Sequence, residues 1–370
     1  MKIVCNTEIL SEACQNVSRV VSTKTSIPAI EGIYLKALGN ELMLTGYDLE
    51  VGINTSIEAV VEEAGSIIIN ARILCDILRK LPAENVRIEA DARQLCIISC
   101  GDVEYKIVGI AAEEYPELPT VNGGYPIIVE SGILENMVRQ TIFAVSKNDT
   151  KIVHTGVKFE ITRGQIRLVA VDGFRLAIRT EKINYTGEDM SFIVPAKTLN
   201  EVIKLIDNCD VISMNIAKRH IIFEVGNYSI ISRLLDGEFL DYNAAIPKSL
   251  TTEVNVNVKA FTESIERMSL LITDRLKSPL RCVFDENTIK ISTITSLGTS
   301  NDKLACKTEG DRVEIGFNNV FLLDALKACS VEDVKITLNG PISPITILPL
   351  EGDNFLFLVL PVRLKNENQG

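Results

Sequence analysis

"SIIINARILCDILRKLPAENVRIEA" occupies residues 66–90, and its layout returns twice more along the chain. The second copy is "SFIVPAKTLNEVIKLIDNCDVISMN" (191–215) and the third is "VEIGFNNVFLLDALKACSVEDVKITL" (313–338). Each reads as a short apolar strand, a helix of about ten residues, a polar turn and a further strand. Leu74 and Leu78 fall on Leu199 and Ile203 at an offset of 125, then on Leu322 and Leu326 a further 123 on. Val86 aligns with Val211 and Val334 at the same two offsets, so the register is expected to hold across the turn.

The preceding segments repeat as well. "TEILSEACQNVSRVVS" (7–22) aligns with "SGILENMVRQTIFAVS" (131–146) and more weakly with "KAFTESIERMSLLITD" (259–274). In the first of these, Ile9, Ala13, Val17, Val20 and Val21 fall near one helical face. Gly32-Ile33 matches Gly156-Val157, and "LTGYDLEVGINT" (44–55) matches "LVAVDGFRLAIRT" (168–180), both at an offset of 124. A register shared by helix, turn and strand marks a threefold internal repeat. Each copy predicts an α+β domain with two amphipathic helices on one face of antiparallel sheet. At 370 residues the chain is long enough for three such cores. "VNGGYP" (121–126) and "AAIPKS" (244–249) read as linkers. The expected domains are therefore 1–122, 125–246 and 248–364, followed by a polar tail, "KNENQG", at 365–370.

"VAVDGFRLAIRT" (169–180) packs an acid, a glycine, an aromatic and a base between two predicted strands. That composition suits a catalytic loop, a hairpin turn or a docking surface. Asp172 has a counterpart in Asp48, so the acid reads as a turn device that accepts nearby backbone N–H groups. Gly173-Phe174-Arg175 has no such echo, since the first copy reads Leu49-Glu50-Val51 there. No catalytic set emerges elsewhere. The two histidines, His154 and His220, have no partner at metal or triad spacing. No phosphate-binding P-loop motif occurs, and the clusters "VEEAG" and "AAEEYPE" read as solvated turns. The nine cysteines contain no CxxC, and Cys96 and Cys100 alternate along a predicted strand, so reduced, buried thiols are expected. "MKIVCNTEIL" lacks the apolar core of a signal peptide, and no apolar run reaches membrane-spanning length. The expected location is cytoplasmic.

Net charge is −11, which at first opposes a nucleic-acid partner. The six predicted helix windows (7–24, 72–80, 131–147, 197–206, 259–275 and 319–328) hold thirteen Lys/Arg against nine Asp/Glu. They are +4 and the remaining chain −15. This is either a basic stripe on an acidic molecule or ordinary mixed-charge helix surface.

The repeats together with "TGYDLE", "VPAKTL", "VDGFRLA", "LLDGEFLDY" and "LVLPVRL" resemble the bacterial sliding clamps, the beta subunits of DNA polymerase III, over residues 1–364. The resemblance implies a non-catalytic processivity factor that needs neither cofactor nor metal. It implies a homodimer closed head to tail into a ring of six domains, helices inward, with duplex DNA threaded through it independently of sequence. DNA-contacting candidates carried over by position are Lys24, Arg72, Asn148, Lys151 and Lys197. An aromatic pair of the family stands here as Ile152 and Val153, which puts local stacking in doubt.

The ring seam implied by position joins Tyr105 and Ile107 of one protomer to Leu271 and Ile272 of the other. Tyr105 and Ile107 lie two apart on a predicted edge strand, where another chain can pair, although packing within their own domain is the alternative. The family's partner-peptide groove carries over to His154, Val171, Gly173, Phe174, Arg175, Leu176, Leu240, Pro344, Val359, Leu360, Pro361 and Val362. Short apolar peptides from the replicative polymerase, the clamp loader, repair polymerases and ligase or mismatch-repair proteins are the implied occupants. Leu240 and Ala244 replace a proline and an arginine of the family, and Phe174 replaces a histidine, so a more apolar groove is expected.

Overall fold

The computed structural model describes residues 1–22, 25–82, 84–120, 126–206, 209–273 and 278–364. Among these residues six α-helices form: α1 (Thr7–Ser18), α2 (Ala71–Leu78), α3 (Ser131–Arg139), α4 (Ala196–Lys204), α5 (Val258–Ser269) and α6 (Asn319–Lys327). Each begins directly where a strand stops. In four of them an asparagine makes the transition, because its side-chain oxygen takes the first free helical N–H. Asn6, Asn70, Asn257 and Asn318 accept from Ile9, Ile73, Ala260 and Val320 at 2.9–3.1 Å.

By contact the chain forms two compact units, which cut across the three repeats. The first, residues 1–132 with 197–234, holds two antiparallel sheets. Its five-stranded sheet runs Val60–Glu63, Lys2–Asn6, Asn85–Ala90, Leu95–Cys100, Val103–Val108. Its eight-stranded sheet runs Ile127–Glu130, Val211–Ile216, His220–Val225, Tyr228–Arg233, Val51–Glu58, Glu41–Tyr47, Gly32–Leu38, Gly65–Asn70. Four of these strands come from the first repeat and four from the second. They join where Val51–Glu58 pairs with Tyr228–Arg233.

The second unit, residues 133–196 with 235–370, is built the same way. Its nine-stranded sheet runs Met190–Pro195, Gly156–Thr162, Gln165–Val171, Arg175–Lys182, Phe355–Val359, Ile345–Pro349, Asp333–Leu338, Thr252–Asn257, Lys307–Gly310. Here the second and third repeats join where Arg175–Lys182 pairs with Phe355–Val359. The remaining four strands of the third repeat, Gly298–Ala305, Thr288–Thr295, Leu280–Asp285 and Val313–Phe317, form a separate sheet. Each repeat thus contributes two half-sheets, and inner halves fuse across repeat boundaries.

The repeat is real in the packing. Counted from the helix starts, Leu10, Leu134 and Phe261 hold one position on α1, α3 and α5, which moves the third copy one residue from the alignment that began at Lys259 to one that begins at Val258. Leu74, Leu199 and Leu322 hold one position on α2, α4 and α6, and all six are fully buried. Burial of such a side chain contributes about 1.5–3 kcal/mol, which is why the pattern persists where surface residues differ.

Four sequence expectations need correction. Val211 is exposed, whereas Val86 and Val334 are fully buried, and Ile212 takes their position. The turn after α4 is one residue longer than the turn after α2, and in a strand a slip of one moves a side chain to the opposite face. Ile9 is also exposed; Leu10, Ala13, Cys14 and Val17 form the buried face of α1.

All six helices stop short of their predicted ends. As formed, they carry seven Lys/Arg and eight Asp/Glu, a net of −1 rather than +4. Arg19, Arg79 and Lys80 lie just past helix ends, where a cation suits the negative pole of the helix dipole, and Lys147 lies well beyond α3.

The described cysteines are all free thiols, and six are fully buried; burial pushes those of Cys5 and Cys96 up to about 12. Among the described residues no helix is long and apolar enough to cross a membrane.

Candidate functional site

The turn at Asp172 is built as the repeat implied. Asp172 Oδ1 accepts the N–H groups of Phe174 and Arg175 at 2.9 and 3.0 Å. Asp48 Oδ1 accepts those of Glu50 and Val51 at 3.0 and 2.7 Å. The residue after each acid is left-handed, Gly173 with φ 89° and Leu49 with φ 78°. Glycine adopts that conformation without strain and leucine does not. The third copy replaces the acid by Thr295, whose Oγ1 accepts only Leu297 N–H at 3.1 Å.

Around this turn the predicted groove residues separate into surface and support. Phe174 is 58% exposed and stacks on Phe321 of α6, with ring centroids 5.8 Å apart. Leu240 and Val362 are exposed, Gly173 is open, and Pro344, Leu360 and Pro361 are half-buried. Val171, Leu176 and Val359 are buried, the first two in an apolar cluster with Tyr242 and Leu358 against which Phe239 and Leu360 pack. His154 is buried and meets Phe239 edge to face at 5.6 Å. Burial, reinforced by Lys151, holds the His154 imidazole below the usual histidine value, so it sits there as a neutral ring.

Arg175 is not a surface wall. It is 5% exposed; its Nε donates to Asp172 Oδ2 at 3.0 Å and its Nη1 to Asp324 of α6. Its guanidinium also lies 4.6 Å from the Phe321 ring centroid and 5.6 Å from that of Phe143. It fixes the Phe174–Phe321 surface from beneath. Phe321, Phe239 and Asp324 went unidentified in the sequence. Asp324 had a visible signal, since Asp76 and Glu201 are acids at the same repeat position.

The C-terminal segment closes the site by backbone contacts. Leu360 N–H donates to Phe174 O at 2.9 Å, and Val362 N–H to Gly316 O at 2.8 Å. The junction between the first and second repeats has the same bond, from Arg233 N–H to Glu50 O at 2.9 Å. One backbone frame therefore carries Glu50 and Arg233 in one copy and Phe174 and Leu360 in another. The apolar surface arises from side-chain choice on a shared scaffold.

The DNA-contact candidates sit in different settings. Lys24 lies outside the described residues. Arg72, near the start of α2, is fully extended into solvent apart from a 3.9 Å approach to Asp76. Lys197, at the start of α4, donates to Asp48 Oδ2, so the acid that shapes the first turn also neutralises this lysine. Lys151 is exposed at a kink in the 149–155 turn. Asn148 caps that turn, its oxygen accepting from Thr150 N and Oγ1 at 3.2 and 2.7 Å. Ile152 is exposed and Val153 buried, so only one of the pair is on the surface.

A polar cavity of about 600 Å³ lies among α1, the end of α2 and the end of α4. It is lined by Glu8 and Glu12 as well as Arg19, Arg79 and Lys204, a mixed set that selects no single ligand charge.

Tyr105 and Ile107 lie on Val103–Val108, which is the outermost strand of the five-stranded sheet. Tyr105 is exposed and Ile107 half-buried, and Val108 beside them is 80% exposed. Leu271 and Ile272 follow α5 and are half-buried. The residues equivalent to Leu271 in the other repeats, Val20 and Ala144, are both fully covered. Leu271 thus occupies a position that is core in the other two repeats, whereas Val21 and Val145, the equivalents of Ile272, are half-buried as it is.

Models of the DNA polymerase III beta subunit N-terminal, central and C-terminal domains match residues 1–119, 128–241 and 243–363. The chain is 32% identical to the beta sliding clamp of Bacillus subtilis, across 98% of this chain and 100% of that one. It is 31% identical to that of Staphylococcus epidermidis, across 93% and 94%. Among solved structures, a DNA polymerase sliding clamp from Bacillus subtilis superposes with a TM-score of 0.96 at 30% identity, across 99% and 100%. A DNA polymerase III beta subunit from Eubacterium rectale gives 0.95 at 32%, across 98% and 100%.

Proposed function

The chain belongs to the DNA polymerase III beta subunit family, and from that premise we propose that two copies close head to tail into a ring around duplex DNA. Its function is that of a DNA sliding clamp, the processivity factor of DNA polymerase III. The observation that carries the ring reading is the pair of unfused half-sheets. Val103–Val108 ends one and Gly298–Ala305 ends the other, while every inner half-sheet is fused to a neighbour. A head-to-tail contact between those two edges uses different surfaces on each partner, and such contacts generate rings when the rotation closes.

A ring holds DNA by topology, so it needs no tight ionic grip. Arg72, Asn148, Lys151 and Lys197, with Lys24, are the proposed contacts, and all are sequence-blind. The near-neutral helices and the pairing of Lys197 with Asp48 support weak, screened phosphate contacts rather than a strong basic stripe. Fewer released counterions mean less resistance to sliding. The domain limits 1–122, 125–246 and 248–364 are proposed as the six ring segments of two chains. The role is non-catalytic and the location cytoplasmic.

The apolar surface of Phe174, Leu240, Leu360, Pro361, Val362 and Pro344 is the proposed seat for peptides of the polymerase, the clamp loader and repair proteins. Two apolar anchors burying about 300 Å² gain roughly 7 kcal/mol gross. After ordering costs, about micromolar affinity remains. That strength lets partners exchange on one ring.

The test is topological. Loaded by its clamp loader onto nicked circular DNA, the protein is expected to stay bound through gel filtration and to be lost once the circle is cut. Equal retention on circular and linear DNA would overturn encirclement.

A further inference from the structure

Resting on the groove reading, we propose that the junction of the first and second repeats carries a second docking surface, one that takes an acidic peptide segment. The chain has two inner junctions, and they share one backbone frame. At the first, Val51 faces Ser232 and Ile53 faces Ile230. At the second, Arg175 faces Val359 and Ala177 faces Phe357. Each repeats the same 2.9 Å bond, Arg233 N–H to Glu50 O and Leu360 N–H to Phe174 O. The flanking segments agree as well, since Tyr115 stacks on Tyr34 where Phe239 receives Lys158.

Five places of the apolar groove therefore have counterparts. Gly173, Phe174 and Leu240 correspond to Leu49, Glu50 and Pro116 at the 124-residue offset. Pro344 and Leu360 lie one place beyond the facing pair Ile345 and Val359. Their counterparts are His220 and Arg233, which pair one place beyond Ile221 and Ser232. The frame is kept, and polar side chains replace most of the apolar ones.

The replacement is positive. Lys218 and Arg219, in the turn before His220, are exposed, as is Arg233, and none of the three makes an ion pair among the described residues. Leu234 N–H donates to Arg219 O at 2.9 Å, which ties that turn to the strand carrying Arg233. Burial, with Arg233 and Arg219 beside it, holds the His220 imidazole below the usual histidine value, a sign of positive charge without a compensating acid. Lys197 differs, because Asp48 neutralises it. On a protein of net charge −11, three unpaired cations around one turn form a local positive field.

Two further features favour a peptide over a nucleic acid. Glu50 is exposed beside these cations. An acid there repels a continuous phosphate chain, whereas separate carboxylates can be placed around it. Leu49 is 45% exposed and left-handed, with φ 78°, where the sister turn has glycine. Strained residues of this kind concentrate at binding sites. The surface thus offers one apolar contact flanked by cations, the complement of a leucine or phenylalanine flanked by Asp and Glu. Exposed charges raise the rate of encounter more than the affinity, so the surface serves to capture a partner.

The test uses the full-length protein and two short labelled peptides, one with a central Leu flanked by Asp and Glu, the other its Asn/Gln counterpart. The acidic peptide is expected to bind about tenfold more tightly at low salt and to lose that margin as salt screens the exposed charges. Arg219→Glu with Arg233→Glu is expected to weaken it about tenfold, since each exposed ion pair is worth up to about fivefold. The same double variant should leave a Leu/Phe-anchored apolar peptide unaffected, and Phe174→Ala should do the reverse. Leu49→Gly, which relieves the turn, is expected to lower acidic-peptide affinity about threefold with no loss of thermal stability. Equal affinity for the two peptides, or acidic-peptide binding untouched by the charge reversal, would overturn the second surface and leave the apolar groove standing. Loss of both the acidic and the apolar peptide in Phe174→Ala would place them in one groove and overturn it as well. Tighter binding of a short single-stranded DNA, lost in the same double variant, would overturn the peptide as occupant. Undiminished affinity in Leu49→Gly would overturn the apolar contact. Failure of the apolar peptide to bind, with the acidic result intact, would overturn the groove reading alone.

Discussion

Ile107→Asp is expected to convert the dimer to a folded monomer and to reduce retention on nicked circular DNA to background. Hairpin pairing puts Ile107 where Ser232 is fully buried at the first inner junction, so its place at the joint between two copies is enclosed. An unpaired carboxylate there meets strand backbone and apolar side chains, and its desolvation costs several kcal/mol. Each 1.4 kcal/mol is tenfold, so the dimer dissociation constant should rise about 10²- to 10³-fold. The monomer should keep its fold, because the outer edge of Val103–Val108 is already unpaired within the chain. Analytical ultracentrifugation, with far-UV circular dichroism as the control for folding, reads both halves of the expectation. A stable dimer would mean that the joint lies elsewhere.

Removal of residues 360–370 is expected to abolish binding of a Leu- or Phe-anchored peptide while the dimer persists. The deletion takes away Leu360, Pro361 and Val362, and with them the backbone bonds to Phe174 and Gly316. Loss of anchors of this kind costs at least about 2 kcal/mol, or some thirtyfold in affinity. The dimer should survive, because Val362 bridges to Val313–Phe317, the edge of the four-stranded sheet opposite Gly298–Ala305. Fluorescence anisotropy with a labelled polymerase-type peptide measures the first effect and sedimentation the second. Unchanged peptide affinity would remove the C-terminal segment from the site.

Much of the architecture is legible in the sequence because it is repeated. The asparagines before α1, α2, α5 and α6, the paired acids Asp48 and Asp172, and the buried leucines of α2, α4 and α6 each answer a local requirement. A helix start, a turn and an apolar stripe are satisfied by residues a few positions apart, so spacing along the chain exposes them. The Val86–Val211 alignment failed at the same level. One extra turn residue reverses strand parity without disturbing the apolar composition that the alignment matched.

Arg175 and Lys197 mark the boundary between the two kinds of information. Both read as surface cations, one on a groove and one toward DNA. One proved to be buried between Asp172 and Asp324, 149 residues from the latter, and the other paired with Asp48, equally distant in sequence. Nothing local distinguishes a charge that meets solvent from one that meets a carboxylate brought in by another repeat. The sequence by itself determined three α+β repeats, the turns at Asp48 and Asp172, and the order of the repeats. Only the tertiary structure decided that half-sheets fuse between repeats, which charges are spent on those junctions, and which two edges are left over. Local elements form from neighbours in the chain, whereas pairing across repeats depends on which strand edges remain unsatisfied once every repeat has folded.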